Sequence, residues 1–196
     1  MIDLGKFDVV SGRLAVSDPC YDEDVWCRGE IDNAKNGSWF AFADEKAIER
    51  WDDAFTRLIA VHEDYVDRIA SVGEKTEGLA KKTDQLAKHC CDSLTMHRAA
   101  FAVGVDSGQA GIFDASHYRD NSVVPNEGYP HQFEDEEADA WYDYCCEITL
   151  SDSCAGVLPF GVVSVSGFGD GEYVCDFWKN ADGEVVRVEI EFIAEV

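Results

Sequence analysis

Apolar and polar residues alternate along much of this chain, and most plainly near its C-terminal end. Val186, Val188, Ile190 and Phe192 fall on one side of an extended segment; Val185, Arg187, Glu189 and Glu191 fall on the other. A period of two with one polar side predicts a strand that covers a core with one face only. The same reading predicts strands over residues 161–166 and 173–178. The glycine-rich turn Gly167-Phe168-Gly169-Asp170-Gly171 joins them, and Asn180-Ala181-Asp182-Gly183 leads to the last strand. Together these three predict an antiparallel meander.

Towards the N-terminus, residues 12–17 read as a strand that stops at Asp18-Pro19, because proline has no amide to give to a ladder. Residues 29–33 and 38–43 read as paired strands around Lys35-Asn36-Gly37, where Asn-Gly is a hairpin signal. Residues 55–63 form a further apolar run. Residues 99–105 are β-like, and Asp106-Ser107-Gly108-Gln109-Ala110-Gly111 is a tight turn leading to the returning Ile112-Phe113. No period of internal repetition stands out.

Two stretches break the alternation. Between residues 66 and 98, Val72, Thr76, Leu79, Thr83, Leu86 and Cys90 recur at three- and four-residue steps, which predicts helix, in one piece or broken near Gly73 or Gly78. Its stripe is thin and half polar. It either rests on the sheet or pairs with a second copy of the chain as a homodimer. Residues 138–148 predict another helix, carrying Trp141, Tyr144 and Cys145, after a polar surface loop over 119–139. The expected architecture is a single α+β domain over residues 1–196. It is mainly antiparallel β, as a twisted sheet or sandwich, with a C-terminal β-meander and a helical insertion over 66–98. A chain of 196 residues can bury a full core without disulfides or metals.

Charge narrows the partners. There are 40 Asp and Glu against 16 Lys and Arg, a formal net charge of -24. Direct binding to nucleic-acid phosphates needs clustered basic groups, so it is disfavoured, and an anionic membrane surface would repel the chain. No segment approaches the length of an apolar membrane span, and residues 1–10 lack the basic and apolar regions of an export signal, so the expected location is cytoplasmic. The acidity serves mimicry of a polyanion, life at high salt, or solubility alone. It is uneven: residues 66–98 hold six basic and five acidic residues, and the rest of the chain holds ten and 35.

Without an export signal, the eight cysteines are expected reduced, mostly as small buried apolar residues. None is spaced CxxC. A zinc site assembled from distant members, such as His89, Cys90 and Cys146, is the metal alternative, but no metal ligand or cofactor motif is assigned. GxSxG and GxGxxG are absent.

Three segments set acids in turns, the last two with glycines: Ser17-Asp18-Pro19-Cys20-Tyr21, residues 105–114, and residues 166–173. Glycines let a ligand approach backbone N–H groups, and the aspartates can bind a cation, exchange protons or accept hydrogen bonds. Each segment is also explained singly as an ordinary Asx turn. If they meet, they form a ligand site from Asp18, Cys20, Tyr21, Asp106, Ser107, Gln109, Asp114, Gly169, Asp170 and Tyr173. Cys20 with His62 as base is a further pairing to test, against a structural thiol.

Residues 105–114, then 166–173, then Asn180-Ala181-Asp182-Gly183 with its closing strand, resemble the bacterial and phage family called domain of unknown function 4241. Residues 17–21 and Val61-His62-Glu63-Asp64-Tyr65 look like segments of its small members, whereas 66–98 has no counterpart there. The resemblance implies a β-rich domain from a phage or bacterium and carries no activity. Two functions remain open. One is a non-enzymatic binder that blocks or sequesters a protein partner or small polar ligand, as in counter-defence. The alternative is a metal-dependent hydrolase using Asp106, Asp114 and Asp170.

Overall fold

The computed structural model describes residues 1–48, 51–70, 94–125 and 139–194. Among them, eleven strands form two sheets, and every pair of strands is antiparallel. The first sheet holds β1 (Ile2–Val9), β4 (Gly37–Ile48), β5 (Trp51–His62), β11 (Val185–Glu191), β10 (Gly171–Lys179) and β6 (Thr95–Val105), in that order. The second runs β3 (Gly29–Asp32), β2 (Arg13–Ser17), β7 (Gln109–Asp114), β9 (Gly161–Val165), β8 (Ala155–Leu158).

The sheets face each other across one core. Leu14, Val16, Ala110, Ile112 and Val162 from the second meet Trp39, Leu58, Val103, Val188 and Ile190 from the first. The alternating pattern explains this: every second side chain points inward, and each fully buried Val, Leu or Ile adds about 1.5–3 kcal/mol. The inner strands β2, β7 and β9 are covered on their outer face as well. There Ala15, Phe113 and Val163 pack on Trp141 and Cys145 of α2 (Ala140–Leu150). The result is a β-sandwich with a helix as a third layer. Two glycines make room in it: the ring of Phe113 occupies the space that a side chain would need at Gly111 and at Gly161.

Of the four places where the chain changes sheets among the described residues, two are corners built alike. Between β1 and β2, Val10-Ser11-Gly12 carries it across; between β6 and β7, Asp106-Ser107-Gly108 does the same. Both glycines are left-handed, Gly12 at φ 69° and Gly108 at φ 72°. Six residues beyond each glycine stands a buried aspartate, Asp18 or Asp114. So the chain does contain a short repeat, Ser-Gly followed six residues later by Asp. It occurs only twice, far apart in sequence, and only three residue types carry it, so no periodicity exposes it.

The helical expectation for 66–98 holds at its start, since α1 spans Glu63–Ala70. Its end does not hold, because Thr95 onwards is already β6. Residues 71–93, and with them the predicted dimer stripe, lie outside the described residues, as do residues 126–138 of the expected loop. The helix expected at 138–148 is α2, shifted by two residues. Residues 29–33 and 38–43 do not pair: β3 and β4 lie in different sheets, with Asn36-Gly37 at the crossing. The C-terminal strands follow in the expected succession, but their pairing is divided. β10 and β11 form a hairpin, while β9 pairs with β7 and β8. Among the described residues, no helix is long and apolar enough to cross a membrane.

Candidate functional site

Asp18 leaves β2 pointing inward and spends both oxygens on its own chain. Oδ2 accepts from the amides of Asp106 (2.8 Å) and Ser107 (2.7 Å); Oδ1 accepts from the Ser107 hydroxyl (2.6 Å) and the Cys20 amide (2.9 Å). A buried carboxylate is tolerated because four donors replace its water. The contact ties the 17–21 segment to the β6–β7 corner. The 166–171 turn joins them, since the Ser166 amide donates to Gly108 O (2.9 Å). Within that turn the Tyr173 hydroxyl donates to Gly169 O (2.6 Å), and its ring sits edge-on to Phe192 in the core. The three aspartate-bearing turn segments therefore meet at one end of the sandwich.

Beside this junction lies a pocket of about 330 Å³. Tyr21 comes from the first segment, Asp106 from the second and Gly171 with Glu172 from the third; Trp26 and Cys27 line it too, over Ala102 and Gly104 of β6. The 21–28 loop that carries Trp26 is held firmly. Successive turns bond Tyr21 N to Asp18 O, Val25 N to Asp22 O and Arg28 N to Val25 O, and the Gly104 amide donates to Cys27 O. Gly104 permits this approach: a Cβ there would stand 2.9 Å from Cys27 Cβ. From the other side, the Tyr118 hydroxyl donates to Tyr21 O (2.8 Å), and the Arg119 guanidinium reaches the carbonyls of Pro19, Cys20 and Tyr21 while pairing with Asp139. Yet Trp26 itself is 90% exposed. Burial, together with a hydrogen bond to the Asp106 carboxylate, keeps the Tyr21 phenol protonated far above its ordinary range.

On the helix side of the junction, Gln109 donates through Nε2 to the Cys146 thiol of α2 (3.4 Å), and its Oε1 is buried without a partner among the described residues. Burial pushes the Cys20 thiol up to about 12, with the adjacent Asp18 adding to it. Burial likewise pushes Tyr142 up to about 12, followed by its bond to Cys146. These are protonated hydrogen-bonding groups, not activated nucleophiles.

Two expected groupings do not form. Asp114 anchors the opposite corner, where Oδ2 accepts from the amides of Val10 (2.7 Å) and Ser11 (2.8 Å) and Oδ1 from the Ser116 amide (2.9 Å) and hydroxyl (2.6 Å). It is the last residue of β7, about 17 Å at the usual rise per residue from Gln109, which follows the Asp106 corner. It cannot share one cation with Asp106 and Asp170, both of which are exposed. His62 is buried against Trp39, with Nε2 3.1 Å from Asn36 O, at the Gly12 corner. That is the end away from Cys20, so the two make no catalytic pair. Among the described residues, no three His, Cys, Asp or Glu side chains gather as a metal-holding group; His89 and Cys90 lie outside them.

Of the ten site residues expected, Tyr21 and Asp106 line the pocket. Asp18, Ser107, Gly169 and Tyr173 brace it from behind, Cys20 and Gln109 face α2, Asp170 is exposed on its turn, and Asp114 is elsewhere. Sequence reasoning missed Trp26, Glu172, Tyr118 and Arg119. The one signal for Trp26 was a lone indole just past the acidic run Asp22-Glu23-Asp24, after Val25. No curated protein and no solved structure matches this chain. Its residues 7–190, nearly its whole length, match the family described as "Protein of unknown function (DUF4241)", and the chain belongs to that family.

Proposed function

We propose that this is a non-enzymatic binding protein that blocks or sequesters a partner, and that the partner is recognised at the Trp26 pocket. The carrying observation is the exposure of Trp26 on a loop fixed by turns, by Tyr118 and by Arg119. An indole left in water by a mobile tail needs no explanation. One held there by a hydrogen-bonded loop costs hydrophobic free energy that burial under a ligand recovers. Aromatic residues presented rigidly at a pocket rim are the usual anchors of binding hot spots. The acids of the three segments support this reading: Asp18 and Asp114 each serve the fold with four hydrogen bonds, leaving Asp106 and Glu172 at the pocket. In a phage or bacterial setting, a binder of this kind would act by occupying its target.

The test is affinity capture followed by titration of the purified partner against the wild type and Trp26→Ala. Loss of binding with unchanged thermal stability supports the proposal. Equal affinity in the two proteins, or turnover of the captured molecule, overturns it.

A further inference from the structure

We infer that the Trp26 pocket takes an organic cation, the guanidinium or alkylammonium group of a basic side chain on the partner. This rests on the reading of that pocket as the recognition site and names what enters it. The pocket's polar side is made by two carboxylates. Asp106 comes from the β6–β7 corner, and Glu172 lies opposite Gly104 in the β6–β10 ladder. Tyr173 next to it points into the core, so Glu172 points to the outer face where the pocket opens. Its aromatic side is made by Trp26 and Tyr21.

An indole face with acids beside it attracts a cation twice, through the ring quadrupole and through charge. Among the described residues, the two arginines nearby are already engaged. Arg28 pairs with Glu30 (2.9 Å) and lies over the Tyr118 ring, and Arg119 pairs with Asp139 and Asp22. Neither is therefore free to neutralise the pocket from within. A phosphate or carboxylate ligand would meet two carboxylates and a chain of net charge -24, with neither nearby arginine among the described residues free to hold it. The volume, about 330 Å³, accommodates one long side chain and the backbone that presents it.

The whole protein, labelled with ¹⁵N at its tryptophan indoles, is titrated at low ionic strength with Nα-acetyl-arginine amide and Nα-acetyl-lysine amide. The neutral Nα-acetyl-norleucine amide, of similar shape, is run alongside. The Trp26 resonance, assigned by its absence in Trp26→Ala, is expected to move saturably with the cationic probes and not with the neutral one. Glu172→Gln and Asp106→Asn are each expected to weaken the cationic probes about fivefold, the effect of losing one partly exposed charge partner. Salt should weaken them further. Norleucine amide binding as well as the cations would overturn the cation while leaving the pocket as a site. No movement of Trp26 with any probe, or movement unaffected by both carboxylate variants, would also overturn the cation. The proposed function falls separately, when a captured partner ignores Trp26→Ala.

Discussion

Asp18 and Asp114 occupy equivalent positions in two copies of one chain reversal. Strands β2 and β7 run side by side in opposite directions, so each ends beside the corner that begins the other. Asp18, at the end of β2, binds the two amides of the corner entering β7; Asp114, at the end of β7, binds the two amides of the corner entering β2. Each also closes an Asx turn on the amide two residues on. The reciprocity gives the centre of the sandwich a local two-fold arrangement and fixes two of the four places where the chain passes between sheets among the described residues.

Both anchors should be costly to lose. Asp18→Asn or Asp114→Asn keeps the volume but leaves an NH₂ facing donors, so each should destabilise by about 3 kcal/mol. The sites are at opposite ends of the sheet, and the double variant should lose about the sum. Urea denaturation measures this. A double variant no weaker than either single one would show that the corners are not independent.

Asp114 should also leave a mark on acid stability. Burial alone would raise its carboxyl, but the Ser116 hydroxyl and the amides of Ser11, Val10 and Ser116 outweigh burial, and the net shift is downward. The native state therefore holds this proton more weakly than the unfolded chain does. Its contribution is fully present above the unfolded carboxylate value of about 3.9 and is lost as pH falls through the lower folded value. The stability gap between wild type and Asp114→Asn should thus be constant near neutrality and shrink below about pH 4. A gap that widens on acidification would contradict the anchor.

Gly111 should tolerate no side chain. A Cβ there would lie 2.1 Å from Phe113 Cζ and 2.7 Å from Val162 O. Alanine must expel the ring from its place against Trp141, 5.0 Å between centroids. A loss of about 3 kcal/mol is expected, together with a changed near-ultraviolet circular dichroism signal. Adding Phe113→Leu should recover part of it; no recovery would place the clash at the Val162 carbonyl instead.

Gln109 predicts the opposite sign. With Oε1 buried and unpartnered among the described residues, replacing the amide with the thioether of Gln109→Met removes a desolvation cost and should be neutral or stabilising by about 1 kcal/mol. A lowered melting temperature would show that the amide has a partner worth keeping.

Cys20 should behave as a protected thiol. With its titration pushed up to about 12 by burial and by Asp18, iodoacetamide at pH 7 should leave it unmodified in the folded protein. Rapid labelling, read by peptide mass, would contradict that environment.

The β character of the domain was readable because a strand's two faces are written in adjacent residues. Val186 to Phe192 declare an inside and an outside without reference to anything distant. The turns at Asp106-Ser107-Gly108 and at Asn180 to Gly183 were readable for the same local reason. What a strand does not declare is its neighbour. That β3 and β4 lie in different sheets, and that β9 leaves the hairpin of β10 and β11, follows from how two twisted sheets share one core. Aspartate is ambiguous in sequence in the same way. Asp18, Asp106 and Asp114 look alike as turn residues, yet two are buried and saturated by backbone amides and a serine hydroxyl while the third is exposed at a pocket. Only burial and the direction of neighbouring N–H groups separate these roles, and both are set by residues about ninety to a hundred positions away. Trp26 shows the limit most plainly: its residue type favours a core, and only the loop fixed around it on β6 keeps it at the surface.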